Sequence, residues 1–207
     1  MHSLLLLLFS LPTLLLSHGI LISPPTRAPG PASLSYCGES ITGIIKADNQ
    51  SGIEALHKAS VTSKDYHADK CNLLLCKGLQ LEDNEKNVQT WSPGEEVVLK
   101  VWTRIPHVGW WSVGIVDAGS LLLVGGGSVW GFLRTKVEAN MMVDFEIEVV
   151  IPKVFPRCAV PGDCVLQWTW FGRVVKQTYE SCVDFVVVPE SYEVGGGDDE
   201  KQKYISQ

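Results

Sequence analysis

Between Asp144 and Ile151 the chain reads Asp-Phe-Glu-Ile-Glu-Val-Val-Ile, which puts Phe145, Ile147, Val149 and Ile151 on one side of an extended strand and three acids on the other. A helix would scatter these residues around its circumference, so the pattern commits the segment to a strand with one face on a core. The period recurs in Glu96 to Thr103, where Val97, Leu99 and Val101 alternate with Val98, Lys100 and Trp102. Trp111 to Asp117, Val165 to Phe171 and Tyr179 to Val188 read as further strands. Turn signals separate them: Ser92-Pro93-Gly94, Ile105-Pro106-His107-Val108-Gly109 and Gly172-Arg173. Short strands at regular spacing with Gly/Pro turns predict an all-β fold, an antiparallel β-sandwich.

Residues 1–17 hold an apolar run (Leu4 to Phe9, Leu11, Leu14 to Leu16) that ends in the small residue Ser17, the pattern of a secretory signal peptide. The run from Leu4 to Leu16, about 13 residues, is shorter than the roughly 20 that span a bilayer, so no membrane anchor is expected after cleavage. The mature chain is then extracellular and of a size for one compact domain, residues 18–189. Residues 190–207 carry Gly195-Gly196-Gly197 and then Asp198-Asp199-Glu200-Lys201, too few apolar groups to order themselves, and read as a flexible acidic tail. A net charge of −6 with no basic stretch argues against nucleic acid or an anionic membrane as the main partner.

All six cysteines follow the leader, and an even number in an exported chain predicts three disulfides. Short loops favour Cys71 with Cys76 and Cys158 with Cys164, leaving Cys37 for Cys182. A zinc site from His67, Cys71 and Cys76 competes with that pairing, but an oxidising compartment favours the disulfides. Asn49-Gln50-Ser51 is a glycosylation sequon and marks a surface loop of a glycoprotein. After His18 the prolines Pro24, Pro25, Pro29 and Pro31 predict an edge strand or ordered coil rather than a helix. From Cys37 to Leu81 mixed polarity and Gly/Asp/Asn punctuation predict a long disulfide-tethered loop region, with one helical turn near Ile53 to Lys58. His57 and His67 read there as ordinary polar loop residues.

Cleavage after Ser17 would make His18 the first residue. An N-terminal histidine carries two nitrogen donors, the α-amine and the imidazole, both able to chelate one metal ion, and an amine of pKa about 7.7–8.0 gives up its proton readily. Nitrogen donors suit copper best among common divalent first-row ions. A second histidine is then needed, and His107 is placed for it between two strands, where Pro106 fixes the approach and Gly109 permits a tight turn. The third element is Gln177-Thr178-Tyr179-Glu180-Ser181-Cys182. On a strand Gln177 and Tyr179 share a side, so the tyrosine can stand axial to the metal and the glutamine can hydrogen-bond a bound oxygen species. Taken singly, His107 also reads as a turn histidine and Tyr179 as half-buried core. Paired carboxylates for glycoside hydrolysis, Glu146 with Glu148 or Asp163 with Asp184, are a weaker reading, since the first pair lies on a solvent-facing strand side.

These elements in this order resemble the lytic polysaccharide monooxygenases, secreted copper enzymes that cleave glycosidic chains oxidatively. The resemblance covers most of the mature chain: His18-Gly19, the Pro-Pro-x-Arg of Pro24, Pro25 and Arg27, Cys37-Gly38, the His-x-Gly of His107 and Gly109, and the Gln-x-Tyr-x-x-Cys of Gln177, Tyr179 and Cys182. It is closest to the smaller families described from filamentous fungi and oomycetes, and departs from the large cellulose-active fungal family in its Pro-Pro-x-Arg start and cysteine spacing. It implies an immunoglobulin-like or fibronectin-like sandwich. It also implies a histidine brace in which His18 gives amine and imidazole, His107 the third nitrogen and Tyr179 the axial oxygen, with Gln177 behind them. One copper ion cycling between Cu(II) and Cu(I), an external electron donor, hydrogen peroxide or dioxygen, and oxidation of a sugar at C1 or C4 follow by the same resemblance. So does a monomer acting on a cell-wall polysaccharide such as cellulose, chitin or pectin. Trp110 and Trp111 flank His107, and strand alternation lets only one of them face outward to stack on sugar rings. A non-catalytic secreted copper-binding protein of the same fold is the alternative, and a carbohydrate-binding or adhesion module with no metal is a third reading.

Overall fold

The computed structural model of the chain describes residues 18–124, 129–133 and 143–188. The expected signal peptide, 1–17, and the expected tail, 190–207, lie outside the described residues. Two sheets face one another. One has the order β1-β3-β6, from β1 (His18–Ser23), β3 (Glu96–Ile105) and β6 (Val143–Val150). The other runs β2-β8-β7-β4-β5, from β2 (Gln89–Trp91), β8 (Gln177–Val187), β7 (Cys164–Gly172), β4 (Gly109–Asp117) and β5 (Val129–Leu133). This is an immunoglobulin-like β-sandwich, as the alternation predicts. The core between the sheets takes Leu21, Val97, Leu99, Val101, Ile147 and Val149 from the first and Val113, Ile115, Leu166, Trp168, Trp170, Tyr179, Val183 and Phe185 from the second. Glu146 and Glu148 face outward on β6, opposite the buried Ile147 and Val149.

Strand direction departs from expectation at one place. β2 pairs with β8 in parallel, Gln89 beside Phe185 and Trp91 beside Val187, so the second sheet is mixed rather than purely antiparallel. At three residues β2 is too short for its alternation to stand out in the sequence.

The larger correction concerns the region read as loop. Helix α1 (Pro31–Ala47) precedes helix α2 (Ile53–Ser60), and the two cover a second core of Cys37, Ile41, Ile45, Leu56, Cys71, Leu73 and Leu79. Cys37, Ile41 and Ile45 recur every four residues, as one helix face requires. Two features hide that face. Gly38 breaks α1 with φ 82°, and the cap of the helix is supplied from far along the chain. Gly30 at the N-cap has no side chain to accept a bond, and the carboxylate of Asp83 does so instead. It accepts from the backbone N–H of Gly30, Ala32 and Ser33 at 3.1, 2.9 and 2.8 Å and from the Ser33 hydroxyl at 2.7 Å. A Cβ on residue 30 would lie 2.5 Å from that carboxyl group, so the position calls for glycine.

The disulfides are Cys37–Cys71, Cys76–Cys182 and Cys158–Cys164. The last is as expected, but the short-loop pairing of Cys71 with Cys76, and of Cys37 with Cys182, is wrong. Cys71 faces the helical core and Cys76 faces β8, because the turn between them reverses the side presented. With both thiols bonded elsewhere, the zinc alternative through His67 falls as well. Cys76, Lys77 and Gly78 all have positive φ, at 56°, 57° and 77°. Two such non-glycine residues cost on the order of 1–3 kcal/mol each. In return the turn aims consecutive N–H groups at one anion: Cys76 and Lys77 donate to the two oxygens of the buried Glu180 at 3.1 and 3.3 Å.

Arg27 ties the Pro-rich segment to the sandwich. Its guanidinium donates to both oxygens of the buried Asp184, at 2.8 and 2.6 Å, and to the Leu79 carbonyl at 2.7 Å. A planar fork facing a carboxylate is the strong form of ion pair, and here it joins β8, α1's approach and the 3-10 turns in one contact.

Removal of the Asp83 cap should be measurable. Partial burial alone would raise the Asp83 pKa, but the bonds from Ser33, Ala32 and Gly30 outweigh it and hold it below the ordinary value of 3.8. A depressed carboxyl pKa contributes stability that is present above that value and lost as pH falls through the folded pKa. Asp83→Ala is expected to cost about 2 kcal/mol at neutral pH in urea denaturation, with the difference from the parent shrinking when the series is repeated near pH 3.

Candidate metal centre

His18 opens β1, an edge strand, and lies opposite Ile105, the last residue of β3. The ladder slips by one residue between His18 and Gly19, and a bulge of this kind re-aims the side chain beside it. His107 follows two residues after Ile105 in the turn that leads into β4. The backbone N–H of Arg173 donates to the Val108 carbonyl at 3.0 Å and fastens that turn to the β7–β8 connection. Gly109 pairs with Gly172, and a Cβ on Gly109 would collide with the Phe171 carbonyl; a Cβ on Gly172 would reach the His107 Cβ at 3.9 Å. The glycine of the His-x-Gly motif is therefore demanded by close backbone approach.

β8 starts at the same end. Gln177 pairs with Gly172, and Tyr179, two residues on, lies on the same side: its hydroxyl donates to Gln177 Oε1 at 2.6 Å. The Tyr179 ring is wholly buried against Trp170, 5.0 Å between centroids. Trp170 in turn packs on Gly19, where a Cβ would stand 2.9 Å from the indole. His18, His107, Gln177 and Tyr179 thus occupy one end of the sandwich, linked through Gly172 on one side and through Gly19 and Trp170 on the other.

Both histidines are buried, His18 at 7% and His107 at 5% exposure. Desolvation lowers the His107 pKa below the usual imidazole value, which favours the neutral ring, the form that binds metals. Its Nε2 is buried with no hydrogen-bond partner. The indole N–H groups of Trp168 and Trp170 are also without partners, but an indole nitrogen only donates, whereas an imidazole Nε2 can hold a metal. Leaving such a group unsatisfied costs about 1–3 kcal/mol, a cost that metal binding at that atom would remove. No cluster of three or more His, Cys, Asp or Glu side chains suited to a metal occurs among the described residues. The two imidazoles of His18 and His107 fall below that count, and nitrogen donors of this kind suit copper.

One partner was not legible in the sequence. Asp48, just beyond α1, brings Oδ2 to 2.7 Å from Nε2 of His18. Nothing in Lys46-Ala47-Asp48-Asn49 marks it, because the contact joins residues thirty positions apart through the placement of α1.

The other candidates sort clearly. Trp110 faces outward at 47% exposure, stacked on Phe171 at 6.4 Å with Arg173 over its ring at 5.9 Å, and Trp111 turns inward against Phe145. One in and one out is what alternation requires. Of the carboxylate pairs, Glu146 contacts Lys100 on an exposed face and Asp184 is taken up by Arg27. Asp163 is exposed and Asp184 buried, so that pair shares no face. His57 lies exposed on α2, and the His67 backbone is taken up by its N–H donating to the Tyr36 carbonyl of α1 and its carbonyl accepting from Lys70 and Cys71.

No protein-family profile matches the sequence, and no curated protein does. In overall fold the chain is similar to a lytic polysaccharide monooxygenase from Jonesia denitrificans, at 15% identity and a TM-score of 0.43, covering 83% of this chain and 100% of that one. It is similar to the AA15 lytic polysaccharide monooxygenase from Thermobia domestica in its Cu(I) state, at 14% and 0.46, covering 84% and 100%. A chitin binding domain from Burkholderia pseudomallei is similar at 10% and 0.42, covering 83% and 100%. The geometry of this chain, rather than these distant likenesses, carries the site.

The packing of Gly19 on Trp170 offers a direct check. Gly19→Ala should cost about 1–3 kcal/mol by overpacking, seen as a lowered melting temperature together with altered Trp fluorescence; an unchanged melting temperature would mean that β1 does not seat on Trp170 as described.

Proposed function

We propose that the chain is exported, cut before His18, and acts as a copper-dependent polysaccharide monooxygenase at the end of the sandwich where the two histidines meet the start of β8. The observation that carries the reading is the buried, unpartnered Nε2 of His107 in a turn held beside His18 by the β1–β3 register. His18 would hold the metal through its amine and imidazole, His107 through Nε2, and Tyr179 would stand on the inner side with Gln177 beside it. Bound copper would supply one-electron chemistry with dioxygen or hydrogen peroxide, primed by an external donor.

The chain's own residues set the conditions for that chemistry. Burial keeps His107 neutral and ready to donate a lone pair. Tyr179, packed on Trp170, closes the inner face to solvent, and its hydroxyl is held by Gln177 at a fixed distance. Gln177 accepts from Tyr179 through Oε1, so its amide N–H₂ is the part that would donate to a bound oxygen species. Trp110, exposed on the neighbouring strand, gives an aromatic face against which a sugar ring can lie. Export agrees with three disulfides, and no described helix is long and apolar enough to cross a membrane.

The test is incubation of the protein, matured to His18 and loaded with copper, with cellulose, chitin and pectin in the presence of a reductant and peroxide. Release of oxidised oligosaccharides is expected from at least one substrate, and copper binding with no such release would point instead to a carrier of the same fold. His107→Ala should weaken copper binding by at least a hundredfold in calorimetric titration; unchanged affinity would remove His107 from the site.

A further inference from the structure

The Nε2 of His18 lies 2.7 Å from a carboxylate oxygen that nothing in the copper reading assigned a task. We infer that Asp48 is a positioning residue for the metal: by accepting from Nε2–H of His18 it fixes the imidazole in the one tautomer and orientation that present Nδ1 to a metal chelated by the amine of the same residue. This inference rests on the copper reading above and extends it to a group outside the four ligating and flanking side chains.

Covalent geometry requires Nδ1 to be the donor. Amine nitrogen, Cα, Cβ, Cγ and Nδ1 close a six-membered ring with a metal, whereas Nε2 points away from the amine and cannot share the ion with it. A neutral imidazole carries one proton, on either nitrogen. A carboxylate oxygen only accepts, so a contact of 2.7 Å places that proton on Nε2 and the lone pair on Nδ1. Hydrogen bonds from the remote nitrogen of a ligating histidine to a carboxylate orient the ring and raise its basicity, and losing one commonly weakens metal binding about tenfold to a hundredfold.

Asp48 is built to hold its place. Its Oδ1 accepts from the Gln50 N–H at 3.0 Å, which leaves Oδ2 for His18. Its own N–H caps α1 by donating to the Ile44 carbonyl at 2.9 Å, and its carbonyl accepts from the Ser51 N–H at 3.1 Å. The next residue, Asn49, gives its carbonyl to Nζ of Lys77 at 2.8 Å, and that lysine is itself buried in the turn secured by Glu180 and by the Cys76–Cys182 disulfide. The carboxylate is thus held by the end of a helix and by the Gln50 N–H, in a backbone that a buried lysine secures at the next residue. The His18 side chain is 9% exposed against 35% for Asp48, so the contact lies at the rim with the imidazole inside. The placement also gives α1 a task that the sandwich alone does not explain: its last turn delivers this carboxylate to the chain terminus.

The experiment compares the protein matured to His18 with its Asp48→Ala and Asp48→Asn variants. Long-range ¹H–¹⁵N correlation of the metal-free proteins at about pH 8, above the imidazole range, reads the tautomer without any metal. The parent should show Nε2–H for His18, and Asp48→Ala should move toward a mixture. Copper titration should show affinity weakened about tenfold to a hundredfold in Asp48→Ala, with a changed Cu(II) electron paramagnetic resonance spectrum. Asp48→Asn has one amide oxygen to divide between Gln50 and His18 and should fall between the two. Nδ1–H in the metal-free parent would overturn the inference with no variant needed. Parental tautomer, affinity and spectrum in Asp48→Ala would overturn it while leaving the copper reading intact. A parent with locked Nε2–H but no copper binding would fail the copper reading, and the positioning role with it.

Discussion

The antiparallel register of β1 against β3 decides what this molecule can do. It sets the first residue of the edge strand, His18, opposite the last residue of β3, and the chain leaves β3 through the turn that carries His107. A strand shifted by one residue would turn every side chain of β1 to the other face, taking Leu21 out of the core and His18 away from that turn. The register is held from several sides: Leu21 is buried between the sheets, its N–H donates to the Ser181 hydroxyl at 3.2 Å, and Gly19 admits the indole of Trp170. Arg27 on Asp184 then prevents the segment after β1 from sliding. The grouping of His18 with His107 is therefore a consequence of sheet packing.

A second layer is built around the first. β8 carries inner residues for the sandwich core (Tyr179, Val183, Phe185) and outer ones that hold the helical region (Glu180, Cys182, Asp184). The outer three form two backbone bonds and one disulfide to the turn at Cys76 and Lys77, and one bidentate ion pair to Arg27. A single strand thus couples the position of Tyr179 to that of α1 and hence to Asp48. Lys77, nearly inaccessible to water, has its pKa pulled down to about 8 by desolvation, with Glu180 and Asp48 opposing that shift. Burying a cation there is tolerable because its Nζ donates to the Asn49 carbonyl and the charges of Glu180 and Asp48 favour it.

The parts of this architecture that were legible in the sequence are those governed by local period. Phe145, Ile147 and Val149 on β6 and Val97, Leu99 and Val101 on β3 announce their faces because each neighbour along the strand is polar or points outward. Gln177 and Tyr179 share a side for the same reason, although the hydrogen bond between them was not read from the sequence. What stayed hidden depends on contacts remote in sequence. Helix α1 is capped by Asp83 and broken at Gly38, so neither end nor period reads as a helix. The pairing of Cys76 with Cys182 spans 106 residues, and loop length says little about which way each thiol faces. Asp48 meets His18 only after α1 has packed on α2 and α2 on β8. The histidines were visible because their chemistry is rare, while the carboxylate that steadies one of them was not, because an aspartate at the end of a helix is common.

The central claim is that a free α-amine at His18 belongs to the metal site, and the direct measurement is a comparison of two forms differing only at the terminus: one beginning at His18 and one carrying a single extra glycine before it. In Cu(II) electron paramagnetic resonance the first should show one copper coupled to three nitrogens, and the second should lose that signature together with tight binding, since its amine is now an amide. The same spectrum and affinity from both forms would contradict the account.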